Sequence, residues 1–259
     1  MSFLIHDFKE KEKEINEYFL LVRSLENIQT IGTLRISPSH SATLKANCYL
    51  LLYNLIEGSI VAGIDEIFSS INQQNATFEK FTNKYKHKWL NYTSALVSRD
   101  DRRTKATFNK ELNDIFSGIS SFNVIPYTDK NGNSFERYSG FLKNQGISNE
   151  TSGNLDIRKI KELAKLYDFK IPSESYDEEN ERLPKKDKIS KEGKHFLKVK
   201  NVRNKLAHGE DTFSAVGRTD SLEDIQKIKD SIIPYLEKIL KNIETFILEQ
   251  GYLEEAGRI

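Results

Sequence analysis

Cysteine is almost missing from this 259-residue chain: Cys48 stands alone, which excludes an internal disulfide and any zinc site built from several cysteines. It lies in the apolar run KANCYLLLYNLIEG, where a small buried hydrophobe is the natural reading. An excess of either charge is also absent, because 39 Lys and Arg face 38 Asp and Glu, a formal net charge of +1. Global charge therefore does not select this protein's partners. No stretch approaches the ~20 uninterrupted apolar residues of a membrane span. The opening MSFLIHDFKEKEKE has no basic segment leading into an apolar one, so a cytoplasmic, soluble protein with no membrane partner is expected. In that compartment the sequons at Asn75, Asn91 and Asn149 carry no meaning. Internal repeats, a Gly-rich phosphate loop, a G-x-S-x-G elbow and an HExxH pair are missing too. The 37% hydrophobic content is still enough for a folded core.

Helical periodicity is what fills the chain. Over residues 4–27, Leu4, Ile5, Phe8, Ile15, Tyr18, Phe19, Val22 and Leu25 recur mostly at three and four, which predicts an amphipathic helix. IQTIGTLRISPSHS then breaks the pattern, and Ser39 or Ser41 is the expected cap of the next helix. That next helix, from Ala42 to about Ile71, is the strongest in the chain and reads as the central element of a bundle. Further helices are expected over 76–95 (through Phe78, Phe81, Tyr85, Trp89 and Leu90), 104–120, 154–169 and 221–250, the last opened by a Ser221–Asp224 capping box. Between 124 and 138, Asn131-Gly132 flanked by strand formers predicts a β-hairpin. A calcium loop over DKNGN fails, because Gly132 falls at loop position 4 rather than 6 and position 12 is Gly140. The expected architecture is an all-α single domain over residues 1–259, with a hairpin inserted near 124–138 and an acidic loop near 174–181.

Local charge is less balanced than the total. Residues 174–181 (ESYDEENE) carry five acids and no base, whereas 182–205 carry ten bases and two acids. The acidic run reads as an exposed loop. The basic run is either a solvated helix face or a surface that attracts phosphate backbones.

One segment reads as a site: KVKNVRNKLAHGED, residues 198–211. Val199, Val202 and Leu206 recur as a core-facing helical stripe, and Gly209 is a good residue to end the helix, which puts His208 in the last turn. Arg203 and His208 are then separated by about 140° around the axis and about 7.5 Å along it. One straight helix presents them poorly to one ligand. They would converge best if the helix frayed at Gly209 or if a second copy of the helix faced the first, a geometry that favours a symmetric homodimer with a composite cleft. Taken alone, the spacing also describes an Arg in a surface ion pair and a His at a helix dipole.

VRNKLAHG, followed by a loop and a long terminal helix, resembles the R-x4-6-H motif of the HEPN superfamily, in which a polar residue commonly follows the Arg, as Asn204 does here. The segments LKANCYLLLYNLIEGSI and GNLDIRKIKELAKLYDF look like corresponding helices of bacterial HEPN-like nucleases. The resemblance implies an all-α bundle, a dimer, and endoribonuclease activity without cofactor or metal, leaving 2′,3′-cyclic phosphates, in toxin–antitoxin or phage-defence settings. The residues suit that chemistry, because RNA supplies its own 2′-OH nucleophile and the protein needs only proton transfer and charge stabilisation. His208 would move protons, Arg203 would offer a fork of donors to phosphate oxygens, and Asn204 would bind phosphate or orient His208. Glu57 shares an apolar stripe with Tyr53, Ile60, Val61 and Ile64; it either holds Arg203 or tunes His208, as the resemblance implies, or merely reaches the bundle's edge or an unrelated Lys. Asn54, one turn earlier, is its neighbour. Lys200 and Lys205 read as RNA-backbone contacts or simply solvated lysines rather than catalysts, while His195, His87 and Trp89 read as packing or surface residues. The competing expectation is an inactive HEPN-like interaction or nucleotide-binding module. An antitoxin or other regulatory partner belongs to the first reading.

Overall fold

The computed structural model describes residues 3–26, 28, 30–31, 34–73, 80–86, 155–176 and 189–258. These are overwhelmingly helical, so the fold is all-α as the periodicity predicts. The expected helix at 104–120, the hairpin at 124–138, residues 177–181 of the acidic loop, His87, Trp89 and the three sequons lie outside the described residues. The chain divides into two compact units, Met1–Gly63 with Glu150–Asn242, and Ile64–Asn149 with Ile243–Ile259.

In the first unit, helix α1 spans Phe3–Glu26 and buries Leu4, Ile5, Phe8, Ile15, Phe19 and Val22 on one side. The link that follows holds a small ribbon: β1 (Thr30–Ile31) pairs antiparallel with β2 (Leu34–Arg35). Helix α2 then runs Pro38–Gln73. Its cap is Ser37 rather than Ser39 or Ser41, because Ser37 Oγ accepts the His40 N–H at 3.3 Å. Pro38 opens the helix, where its missing N–H would have had no helical partner in any case. Ser39, inside the first turn, donates instead to Ser214 Oγ at 3.1 Å. Leu52, Ile56 and Ile60 are wholly buried, each such burial contributing about 1.5–3 kcal/mol. Pro38–Ile71 is also the one helix among the described residues long and apolar enough to cross a membrane, yet much of it is buried within the protein, as a bundle's central helix is.

Helix α3 (Ile157–Tyr167) is capped by Asp156, whose carboxylate accepts the N–H groups of Arg158 and Lys159 at 3.0 and 3.1 Å. Its buried face, Ile157, Ile160, Leu163, Ala164 and Tyr167, is the one the spacing predicts. Helix α4 (Lys191–Ala207) starts at Ser190, whose Oγ accepts the Gly193 N–H at 2.9 Å. Glu174, expected as the start of an exposed acidic loop, is instead a partly buried joint between α3 and α4. Its carboxylate accepts from Lys161, from Ser190 Oγ at 2.7 Å and from Tyr176 at 2.8 Å. Burial opposes its ionisation, but those donors outweigh it and hold its pKa below the ordinary carboxylate value. A short helix α5 (Phe213–Val216) leads to Gly217, where an added Cβ would fall 1.7 Å from the Ala42 carbonyl oxygen. Only glycine lets this turn lie so close to α2. Helix α6 (Leu222–Leu248) begins as expected at Ser221, whose Oγ accepts the Asp224 N–H at 3.1 Å and donates to the Asp224 carboxylate at 2.8 Å. Pro234 lies within α6 on its exposed side.

The second unit is organised around aromatic rings. Phe81, Tyr85, Phe246 and Tyr252 cluster with neighbouring centroids 6.1 to 6.4 Å apart, and the Tyr252 hydroxyl lies 2.9 Å from Ser70 Oγ. The continuous helix expected over 76–95 is corrected here, because Phe81 pairs with Leu253 in an antiparallel bridge. Thr82 N–H goes to the Tyr252 carbonyl at 3.0 Å, and the Lys80 carbonyl accepts the Glu254 N–H at 2.8 Å. Backbone groups that a continuous helix would use are thus taken by the C-terminal segment, and an α-helical turn is found at residues 83–86.

Candidate functional site

The site is built on the end of α4. Helix α4 stops at Ala207 with His208 as its cap residue, and Gly209 follows at φ +68°. The Gly209 N–H reaches the Leu206 carbonyl at 3.3 Å and the Glu210 N–H reaches the Lys205 carbonyl at 2.9 Å, the paired bonds of a Schellman ending. The sequence places this ending correctly because only glycine takes a left-handed conformation without strain. His208 is exposed, and its side chain makes no hydrogen bond among the described residues.

Arg203 lies on a different side of the same helix. It is half-buried, with its guanidinium carbon 4.9 Å from the centroid of the Tyr53 ring on α2. A cation over an aromatic face at this distance is attracted by the ring quadrupole. Among the described residues no carboxylate lies within ion-pair distance of Arg203, so the surface ion pair that its sequence context allowed does not form. Its one hydrogen bond there runs from Nη1 to Asn204 Oδ1 at 3.3 Å. Asn204 also accepts the His208 N–H on its main-chain oxygen at 2.9 Å. It therefore touches Arg203 with its side chain and His208 with its backbone.

Glu57 is half-buried, and its carboxylate accepts the Tyr53 hydroxyl at 3.3 Å. The same hydroxyl accepts the Leu155 N–H at 3.3 Å, so it is held from two sides. Glu57 thus meets Arg203 through Tyr53 rather than by a direct ion pair. The Tyr53 hydroxyl is held above its ordinary pKa by burial first and by the Glu57 charge, against the opposing Leu155 N–H and Arg203. It stays protonated and works as a donor. Asn54 is exposed and has no part in this group.

The two lysines proposed for RNA differ. Lys200 turns to Asp156, with Nζ 2.8 Å from Oδ2 in a pair whose side chains are 18% and 12% exposed. Burial raises the Asp156 pKa, but the Lys200 hydrogen bond and the α3 N–H groups overcome it and leave the value lowered. Lys205 is exposed and pairs with Asp211 at 3.1 Å. His195 is half-buried, with Nδ1 lacking a hydrogen-bond partner among the described residues, and burial shifts its pKa down. No three His, Cys, Asp or Glu side chains among the described residues converge where a metal ion would be held. Sequence reasoning passed over two contributors, Tyr53 and Asp156. Tyr53 could have been found as the aromatic four residues before Glu57 on the same stripe, and Asp156 as an acid placed to cap α3.

A helical bundle carrying Arg203, Asn204 and His208 on one helix, beside an acid on the central helix, defines the class: an all-α HEPN module of nuclease-like or RNA-related type. The chain belongs to the HEPN_MAE_28990-like HEPN family, which matches residues 1–252. No curated protein and no solved structure matches it.

Proposed function

We propose that this protein is a metal-independent endoribonuclease that works as a cytoplasmic homodimer, in the role of a toxin or phage-defence effector restrained by a partner protein. The observation that carries the reading is Arg203: a half-buried guanidinium stacked on Tyr53, with no carboxylate partner among the described residues, five positions before an exposed histidine. A half-buried arginine with no carboxylate partner among the described residues has donors to offer, and the two non-bridging oxygens of a phosphodiester suit its planar fork.

In the reaction, the RNA 2′-OH attacks the adjacent phosphorus while His208 takes its proton. The bond from phosphorus to the 5′-oxygen breaks, and a proton supplied to that oxygen by water releases a 5′-OH end and a 2′,3′-cyclic phosphate. Arg203 stabilises charge growing on the phosphorane oxygens, with Asn204 beside it. Tyr53 and Glu57 position Arg203. Because Arg203 and His208 lie on different sides of α4, each cleft combines Arg203 of one protomer with His208 of the other.

The test is cleavage of mixed RNA by purified protein in EDTA. Wild type should cut to fragments with cyclic-phosphate ends, and folded, dimeric Arg203→Ala and His208→Ala proteins should be slower by about 10²–10³-fold. Intact RNA with every protein would favour the alternative, an inactive interaction or nucleotide-binding module, which the separation of the two residues within one chain also suits.

A further inference from the structure

We propose that the outer face of α4 is the track along which single-stranded RNA reaches His208; this rests on the ribonuclease reading above and adds where the strand lies. A groove of about 380 Å³ runs along that face, with Lys194, Lys198 and Lys205 on it and Leu197, Val202 and Val216 as its apolar lining. The three lysines span 11 residues of helix, about 16 Å at 1.5 Å per residue. His208 continues the same stripe, since positions 194, 197, 201, 205 and 208 step by three and four along the helix. Arg203 and Lys200 do not belong to it: the first stacks on Tyr53 and the second is tied to Asp156. The basic run that looked uniform in the sequence is therefore split, and its groove half leads to the histidine.

Charge and shape together select the occupant. Lys194 and Lys205 are exposed, and a polyanion laid on them gains through counterion release. The Lys205–Asp211 pair has side chains 54% and 39% exposed, and a pair this wet contributes little, so phosphate can replace Asp211. Lys198 is fixed differently, 2.5 Å from Asp220 Oδ1, while the other Asp220 oxygen accepts from Tyr49 at 2.8 Å. It shapes the groove wall more than it exchanges partners. The apolar lining favours unstacked base faces over a duplex, whose bases are already buried against each other. Asn201 and Thr219, also in the groove, supply polar contacts to sugar and base edges.

The experiment measures binding of a labelled single-stranded RNA by fluorescence anisotropy at several salt concentrations, using full-length His208→Ala protein so that binding is read apart from cleavage. Adding Lys194→Glu and Lys205→Glu should weaken binding about tenfold or more and reduce the salt slope by about two. Asp211→Asn should tighten it. The same charge change on α6, Lys227→Glu with Lys238→Glu, should leave affinity within about twofold, because those residues lie outside the groove and act only through long-range charge. The track is overturned if the groove variant binds as its parent does, if the α6 variant loses as much, or if a duplex binds more tightly than the single strand. Cleavage by the wild-type protein is followed in parallel: cleavage with an unaffected groove variant removes the track and leaves the nuclease standing, whereas a wild type that neither binds nor cuts removes both.

Discussion

The two sides of α4 are made differently, and the difference explains how one short motif is divided. The inward side carries Phe196, Val199 and Leu206 into the core, and Arg203 rides with them onto Tyr53. Its position is fixed by packing. The outward side carries exposed lysines and ends in His208, whose place is fixed by where the helix stops, at Gly209. Arg203 is thus sensitive to the core behind it, and His208 to the geometry of one glycine. The paired lysines repeat the lesson, since Lys200 serves α3 through Asp156 while Lys205 faces water.

Arg203→Lys should show the largest effect. It keeps the charge but loses the fork and the flat stacking surface, so cleavage should fall by about 10²-fold with the fold intact, read as the initial rate of RNA cutting. Tyr53 comes next. Tyr53→Leu removes the ring under Arg203 and should lower both cleavage and stability. Tyr53→Phe keeps the ring but leaves the buried Leu155 N–H without its acceptor and cuts the link to Glu57, which should cost about 1–3 kcal/mol in urea unfolding while lowering cleavage less than Tyr53→Leu does. Equal activity loss in the two variants would contradict a positioning role for the ring.

Lys200→Ala should cost about 1.5–3 kcal/mol at neutral pH through the lost charged hydrogen bond. Because the Asp156 pKa is lowered in the folded state, the stability it brings is fully present above the ordinary aspartate value and is lost as pH falls through the depressed one. Urea unfolding at pH 7 and pH 3 should therefore show a steeper acid loss in wild type than in Lys200→Ala. Gly209→Ala should cost about 1–2 kcal/mol, for the left-handed φ alone, because an added Cβ meets nothing within 4 Å. Its cleavage rate should fall as well, as the cap that presents His208 loosens. Lys205→Ala, at the exposed end of the comparison, should change stability by less than about 0.5 kcal/mol.

Much of this fold is legible in the sequence, and the reason is physical. The stripes of α1, α2, α3 and α6 declare themselves because each helix buries one face, and the Schellman end of α4 is announced by Gly209. The start of α2 lies a turn before the one its periodicity suggests, because Pro38 reads first as a breaker although at a first helical position it is compatible with the helix. The spacing of Phe81 to Tyr85 fits a helix, but its bridge to Leu253 is a contact between segments far apart in sequence, which periodicity does not encode. Of the site, the motif on α4 was readable, but Tyr53 was not singled out, since its role depends on which helix packs behind Arg203. The place of Glu174 is hidden for the same reason: its acidic neighbours suggest solvent, while its partners Lys161 and Ser190 come from other elements.

In the proposed nuclease a cleft is completed only across two protomers. Arg203→Ala and His208→Ala proteins, each purified and inactive alone, should be mixed, allowed to exchange subunits, and assayed on RNA in EDTA. Random exchange makes half of the dimers mixed, each with one intact cleft of two, so about one quarter of the wild-type rate should return. If the mixture stays as inert as its parts while wild type cuts RNA, Arg203 and His208 act within one chain and the divided site is wrong.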